Sequence, residues 1–85
     1  VRVDETEEAL AIARARLWLH SGRARQIRER ARLSQADAAR AVGTSMWQVS
    51  RWESGKGTPR RDTALKLAVL LDGLEEIVRG EGGGA

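Results

Sequence analysis

Between Ser34 and Glu53 the apolar positions fall into two short runs of helical period with a single glycine between them. In the first run Ala38, Ala39 and Val42 share one face behind Ser34, and this spacing predicts a short helix that stops at Gly43. A glycine at that point takes a positive φ without a Cβ clash and satisfies the carbonyls left open at a helix end. Ser45 and Gln48 then stand three apart, the spacing of a capping box, so a second helix is expected from Met46. On it Val49 and Trp52 share the inner face, which leaves Met46, Trp47, Gln48, Ser50 and Arg51 for the others.

The flanking segments carry the same period. Residues 4–20 form an amphipathic pattern with acids in the first turn, where they suit the positive end of the helix dipole. Leu10, Ala13 and Leu17 make its apolar stripe, which Ile12 and Leu19 widen and to which Trp18 adds area. So much apolar surface is expected to dock, either on the domain's own core or on a second copy. Ser21 and Gly22 break the pattern before a helix over residues 23–32, with Ile27 and Ala31 inside, and Leu33 anchors the link to Ser34. Ser34 and Asp37 repeat the capping-box spacing. After a loop from Gly55 to Arg61, a helix over residues 62–71 carries Leu65, Ala68 and Leu71, and Asp72 with Gly73 is expected to end it. Leu74, Ile77 and Val78 suggest one last short helix, and the glycine-rich end a disordered tail. The expected organisation is an N-terminal helical extension over 1–21, a domain over 22–79 and a tail over 80–85.

Charge sharpens this picture. Residues 14–61 hold eleven arginines and one lysine against three acids, a net +9, whereas the segments before and after are each −3. A polyanion is the partner such a segment fits. With no cysteine and a single histidine, His20, neither a disulfide framework nor a Cys/His zinc site is available, and His20 is read as a helix-end residue. No metal or cofactor is expected. No apolar run approaches the ~20 residues of a membrane span, so a cytoplasmic location is expected and no membrane partner. There is no nucleophile and base pairing around His20 and no phosphate-binding glycine motif, which makes an enzyme the least fitting class.

Gln35, Ala39, Gly43, Val49, Trp52, Glu53, Gly55 and Pro59 stand where the phage repressor and Cro-like (Xre-type) helix-turn-helix family has its signature, over about 50 residues. The chain resembles that family. The resemblance implies an all-α, lambda-repressor-like bundle of about five helices, with the N-terminal amphipathic helix as an extra. It further implies an Arg28 to Glu53 ion pair, a phosphate contact from Gln35, and a homodimer surface on the last helix that rivals the N-terminal one.

A recognition helix of this kind lies in the major groove with its N-terminal residues at the base edges. Ser45, Met46, Trp47, Gln48, Ser50 and Arg51 are therefore the expected base contacts, with Arg51 the main specificity residue because a guanidinium matches O6 and N7 of guanine. Met46 and Trp47 suit thymine methyls or sugar edges, and Trp47 alternatively suits a protein interface. Gln35, Thr44, Lys56, Arg60 and Arg61 are the expected phosphate contacts. The expected function is a double-stranded DNA operator-binding transcription regulator, acting as a homodimer. The alternatives are an antitoxin that grips a toxin and represses its own operon, and a protein adaptor on the same fold.

Overall fold

The computed structural model describes residues 3–83, with the side chains of residues 4–81. Five helices follow one another, α1 Val3–Ser21, α2 Arg23–Arg30, α3 Gln35–Val42, α4 Met46–Glu53 and α5 Arg61–Gly83. No strand occurs among the described residues. The fold is the expected all-helical bundle. Its core collects Ile12, Ala15 and Leu19 from α1, Ile27 from α2, Val42 from α3, Val49 and Trp52 from α4, and Leu67, Leu71 and Leu74 from α5.

Helix ends are set by local chemistry. Ser34 accepts a hydrogen bond from the Asp37 amide and opens α3, and Ser45 accepts one from the Gln48 amide and opens α4. Each satisfies a first-turn N–H that has no partner within the helix. At the other end of α3, Gly43 sits at φ 75° and the Thr44 amide donates to the Ala39 carbonyl. At the end of α4, Gly55 at φ 79° precedes a Lys56 amide that donates to the Arg51 carbonyl. The same closure ends α2, where the Leu33 amide donates to the Arg28 carbonyl. There the left-handed position is held by Arg32, at φ 61°.

Two expectations change. The stripe Leu10, Ala13 and Leu17 faces outward, with the two leucines 62% and 63% exposed, while Ile12, Ala15 and Leu19 are buried. Both sets have helical spacing on opposite sides of α1, and the inner one carries Ala15, fully buried, where the neighbouring helices approach. The extension thus covers the domain's own core, lying mainly against α5 and α2. Second, no break occurs at Asp72 and Gly73, because α5 runs through to Gly83. A glycine inside a helix costs roughly 1 kcal/mol. Burying a leucine gains roughly 1.5–3 kcal/mol, and the register that buries Leu67 and Leu71 also buries Leu74 one turn on. Residues 80–83, expected as tail, belong to this helix, and residues 84–85 lie outside the described residues.

Ion pairs fix α1 and α2 to α5. Arg14 meets Asp72 at 2.7 Å, Arg23 meets Glu75 at 2.5 Å, and Arg61 meets Glu8 at 2.5 Å. The guanidinium groups of Arg14 and Arg23 both stand over the Trp18 ring, with their carbons 5.7 Å and 4.6 Å from its centroid. No helix is long and apolar enough to cross a membrane among the described residues.

Candidate nucleic-acid interface

The inner face of α4 is fixed by Val49 and Trp52, both buried, so the opposite face must point outward. Met46 and Trp47 are exposed there, Trp47 by 64%, with Ser50 and Arg51 half-buried beside them. Arg51 is not loose. Its guanidinium carbon lies 4.9 Å from the centroid of the Trp47 ring, one turn earlier on the same face. The i, i+4 spacing of Trp47 and Arg51 is the sequence signal for this stacking, which their expected roles as separate contacts leave out.

Gln48 donates through its backbone to Ser45, yet its side-chain amide makes no hydrogen bond among the described residues. The reciprocal arm of the capping box is therefore absent, and the amide is available at the edge of α4. It lines an open depression of about 570 Å³ with Thr44, Arg51, Gly57 and Arg60. Asp62, at the start of α5, also lines it. Lys66 was not singled out from the sequence, but its ammonium would lie 3.9 Å from a Cβ placed on Gly43, next to Thr44.

Behind this surface stands a clamp. The Arg28 guanidinium donates from Nε to Glu53 Oε2 at 2.7 Å, from Nη2 to Glu53 Oε1 at 2.9 Å, and from Nη1 to the Leu33 carbonyl at 2.8 Å. The two side chains are 10% and 5% exposed. The hydrogen bond to Glu53 raises the affinity of Arg28 for its proton, against the opposing effect of burial. Gln35 joins them, since its Nε2 donates to Glu53 Oε1 at 2.9 Å. The amide expected at a phosphate thus has one of its two N–H groups committed to the clamp. This ties the first turn of α3 and the end of α4 to α2 through one carboxylate.

The cations divide into two sets. Arg14, Arg23, Arg25, Arg28, Arg40, Arg61 and Arg79 all have carboxylate partners. Arg16, Arg30, Arg32, Arg51, Lys56, Arg60 and Lys66 have none among the described residues; of these Arg51, Lys56 and Arg60 belong to α4 or the loop that follows it, Arg16 donates to the Pro59 carbonyl, Lys66 lies on α5 beside Gly43, and Arg30 and Arg32 stand at the end of α2. Arg61 departs from the expectation that grouped it with Arg60, because its guanidinium turns to Glu8 of α1. Asp37 is held below the ordinary carboxylate range by its hydrogen bond with Ser34 and then by Arg40, which places a settled negative charge in the first turn of α3.

A family model described as helix-turn-helix matches residues 25–77. No match was found among curated proteins, and none among solved structures. The matched span begins after α1 and holds α3, the Gly43 turn and α4 in full, so the capped pair and its outward face are the part the family shares. The chain belongs to the Xre/Cro-like helix-turn-helix family of DNA-binding regulators.

Proposed function

We propose that the protein is a sequence-specific regulator of transcription that occupies operator DNA as a homodimer, in the manner of a Cro-like repressor. Helix α4 lies in the major groove and Arg51, steadied by Trp47, donates to guanine O6 and N7, a contact worth about 1–3 kcal/mol of discrimination. Ser45, Gln48 and Ser50 reach neighbouring base edges, and Met46 and Trp47 meet thymine methyls or sugar. Thr44, Lys56 and Arg60 hold phosphates and the second N–H of the Gln35 amide reaches another, while Arg61 stays paired with Glu8. The observation that carries this reading is that Arg51, Lys56 and Arg60, none with a carboxylate partner among the described residues, stand on the outward side of a capped helix and the loop that follows it.

The dimer is supported by exposed apolar side chains at Val69 and Ile77 on α5 and at Leu10 and Leu17 on α1. Two copies would set their α4 helices about 34 Å apart, one turn of DNA. The test is a binding titration of the full chain against genomic fragments at several salt concentrations. The logarithm of the affinity falls linearly with the logarithm of salt when several phosphates are neutralised. A protein that leaves duplex DNA untouched at low ionic strength is not this regulator. An antitoxin would add a stable complex with a second protein, and an adaptor would show no salt-dependent DNA binding at all.

A further inference from the structure

Helix α1 lies outside the span that the family model matches, yet it touches the loop that carries Lys56 and Arg60. Arg16 Nε and Nη2 both donate to the carbonyl of Pro59, at 3.3 Å and 3.1 Å. Pro59 is fully buried, so this carbonyl has little water to turn to without the guanidinium. The carbonyl belongs to the same rigid peptide unit as the Arg60 nitrogen. Holding that plane therefore fixes where the Arg60 nitrogen and Cα sit, one residue before α5 begins and beside the depression that Arg60 lines. The loop is pinned from its other side too, since a Cβ on Gly57 would lie 3.6 Å from Arg51 Nη2. The first half of the loop is held to α4 by the Gly55 and Lys56 amides, which donate to the Trp52 and Arg51 carbonyls, and Arg16 holds the second half.

The same helix acts on the next residue in the opposite sense. Glu8, two turns before Arg16, takes the Arg61 guanidinium at 2.5 Å and so occupies with a carboxylate a cation that would otherwise be open to a phosphate. We propose that α1 sets the strength of the DNA grip through two positioning residues of opposite effect. Arg16 holds the Pro59 to Arg60 peptide so that the loop meets the backbone in one geometry, and Glu8 withholds Arg61. This rests on the DNA-binding reading above, and it adds to the family's shared surface a part that the extension alone provides.

The experiment measures DNA affinity and its salt dependence for Arg16→Met, Arg16→Lys, Glu8→Gln and the control Arg14→Met, with thermal unfolding of each. Arg14 lies on the same helix and bridges to Asp72, away from the loop. Arg16→Met is expected to weaken binding on the order of tenfold, through the loss of two hydrogen bonds and the contact they orient, and Arg16→Lys to recover part of it. Glu8→Gln is expected to tighten binding and to steepen the log–log salt slope by about 0.9, one further phosphate. Arg14→Met should lower stability about as much as Arg16→Met and leave affinity unchanged. Hydrogen exchange in the free protein gives a readout without DNA: the amides of Gly57 and Thr58 should exchange faster in Arg16→Met and not in Arg14→Met. Equal losses of affinity in the two arginine variants, or an unchanged affinity in Glu8→Gln, would overturn the proposal. Wild-type protein that fails to bind any duplex would overturn the DNA reading itself, and faster loop exchange in that case would show a brace with no part in binding.

Discussion

Arg28→Met removes the cation from the clamp and keeps most of the side-chain stem. Glu53 is then left with its carboxylate 5% exposed, holding a single hydrogen bond from Gln35, and the Leu33 carbonyl loses its donor. Breaking a buried pair from one side costs about 3–5 kcal/mol, because the remaining charge has lost both its water and its partner. A chain of 85 residues has a total stability of roughly 4–13 kcal/mol, at about 0.05–0.15 kcal/mol per residue, so the loss is a large share of the whole. Each kcal/mol lowers Tm by about 4–8 °C in a domain of this size, so a fall of at least ~12 °C is expected. Urea unfolding followed by circular dichroism measures it directly. The double variant Arg28→Met with Glu53→Leu should recover much of the loss, since no charge is then stranded. High salt should leave the wild-type contribution nearly intact, unlike that of an exposed pair such as Arg25 and Glu29. A loss below about 1 kcal/mol in Arg28→Met would refute the reasoning, for it would mean that water screens the pair as it does a surface bridge.

Four other substitutions probe separate links. Arg32→Gly should stabilise the protein by roughly 1 kcal/mol in the same urea assay, because Arg32 holds a left-handed position at φ 61° that costs an L side chain about 1–2 kcal/mol. Gly73→Ala should add roughly 0.5–1 kcal/mol, since the position is inside α5 and a Cβ there meets nothing within 4 Å. Should Gly73→Ala instead disrupt dimerisation measured by sedimentation, the glycine serves a close approach of a second chain. Arg51→Ala should relax preference at one base position by about 1–3 kcal/mol, whereas Lys56→Ala should weaken all sequences alike and lower the salt slope by about one contact, and selection from a randomised operator library separates the two.

The features legible in the sequence are those whose partners lie within a few residues. Ser34 and Ser45 cap amides three residues on, and Gly43 closes a helix through carbonyls just behind it, so spacing alone places the start of α3, its end and the start of α4. The clamp was different. Arg28 and Glu53 are 25 residues apart, and only the resemblance to a known family connected them, while the part Gln35 plays in it went unseen. Periodicity also could not choose between the two stripes of α1. Leu10, Ala13 and Leu17 satisfy it as well as Ile12, Ala15 and Leu19, and the choice is made by which face admits a neighbouring backbone, a property of the assembled bundle. The continuity of α5 past Gly73 has the same origin, since a local penalty of about 1 kcal/mol yields to the burial of Leu74.

Arg60 and Arg61 carry this distinction into the binding surface. They are adjacent, identical in type, and follow the same proline, so nothing local separates them, and the sequence places both at the phosphate backbone. In the folded chain one lines the depression beside α4 and the other reaches a carboxylate 53 residues earlier. Net charge counts the two equally, but a polyanion does not: an open guanidinium attracts phosphate at once, whereas a paired one must first be released from Glu8. The +9 of the central segment therefore overstates what DNA meets, and the effective charge of the surface is set by how many arginines the rest of the fold has already neutralised. On that view the acidic first turns of α1 are part of the affinity of the protein for DNA, through the cations they leave available, even though they touch none of it.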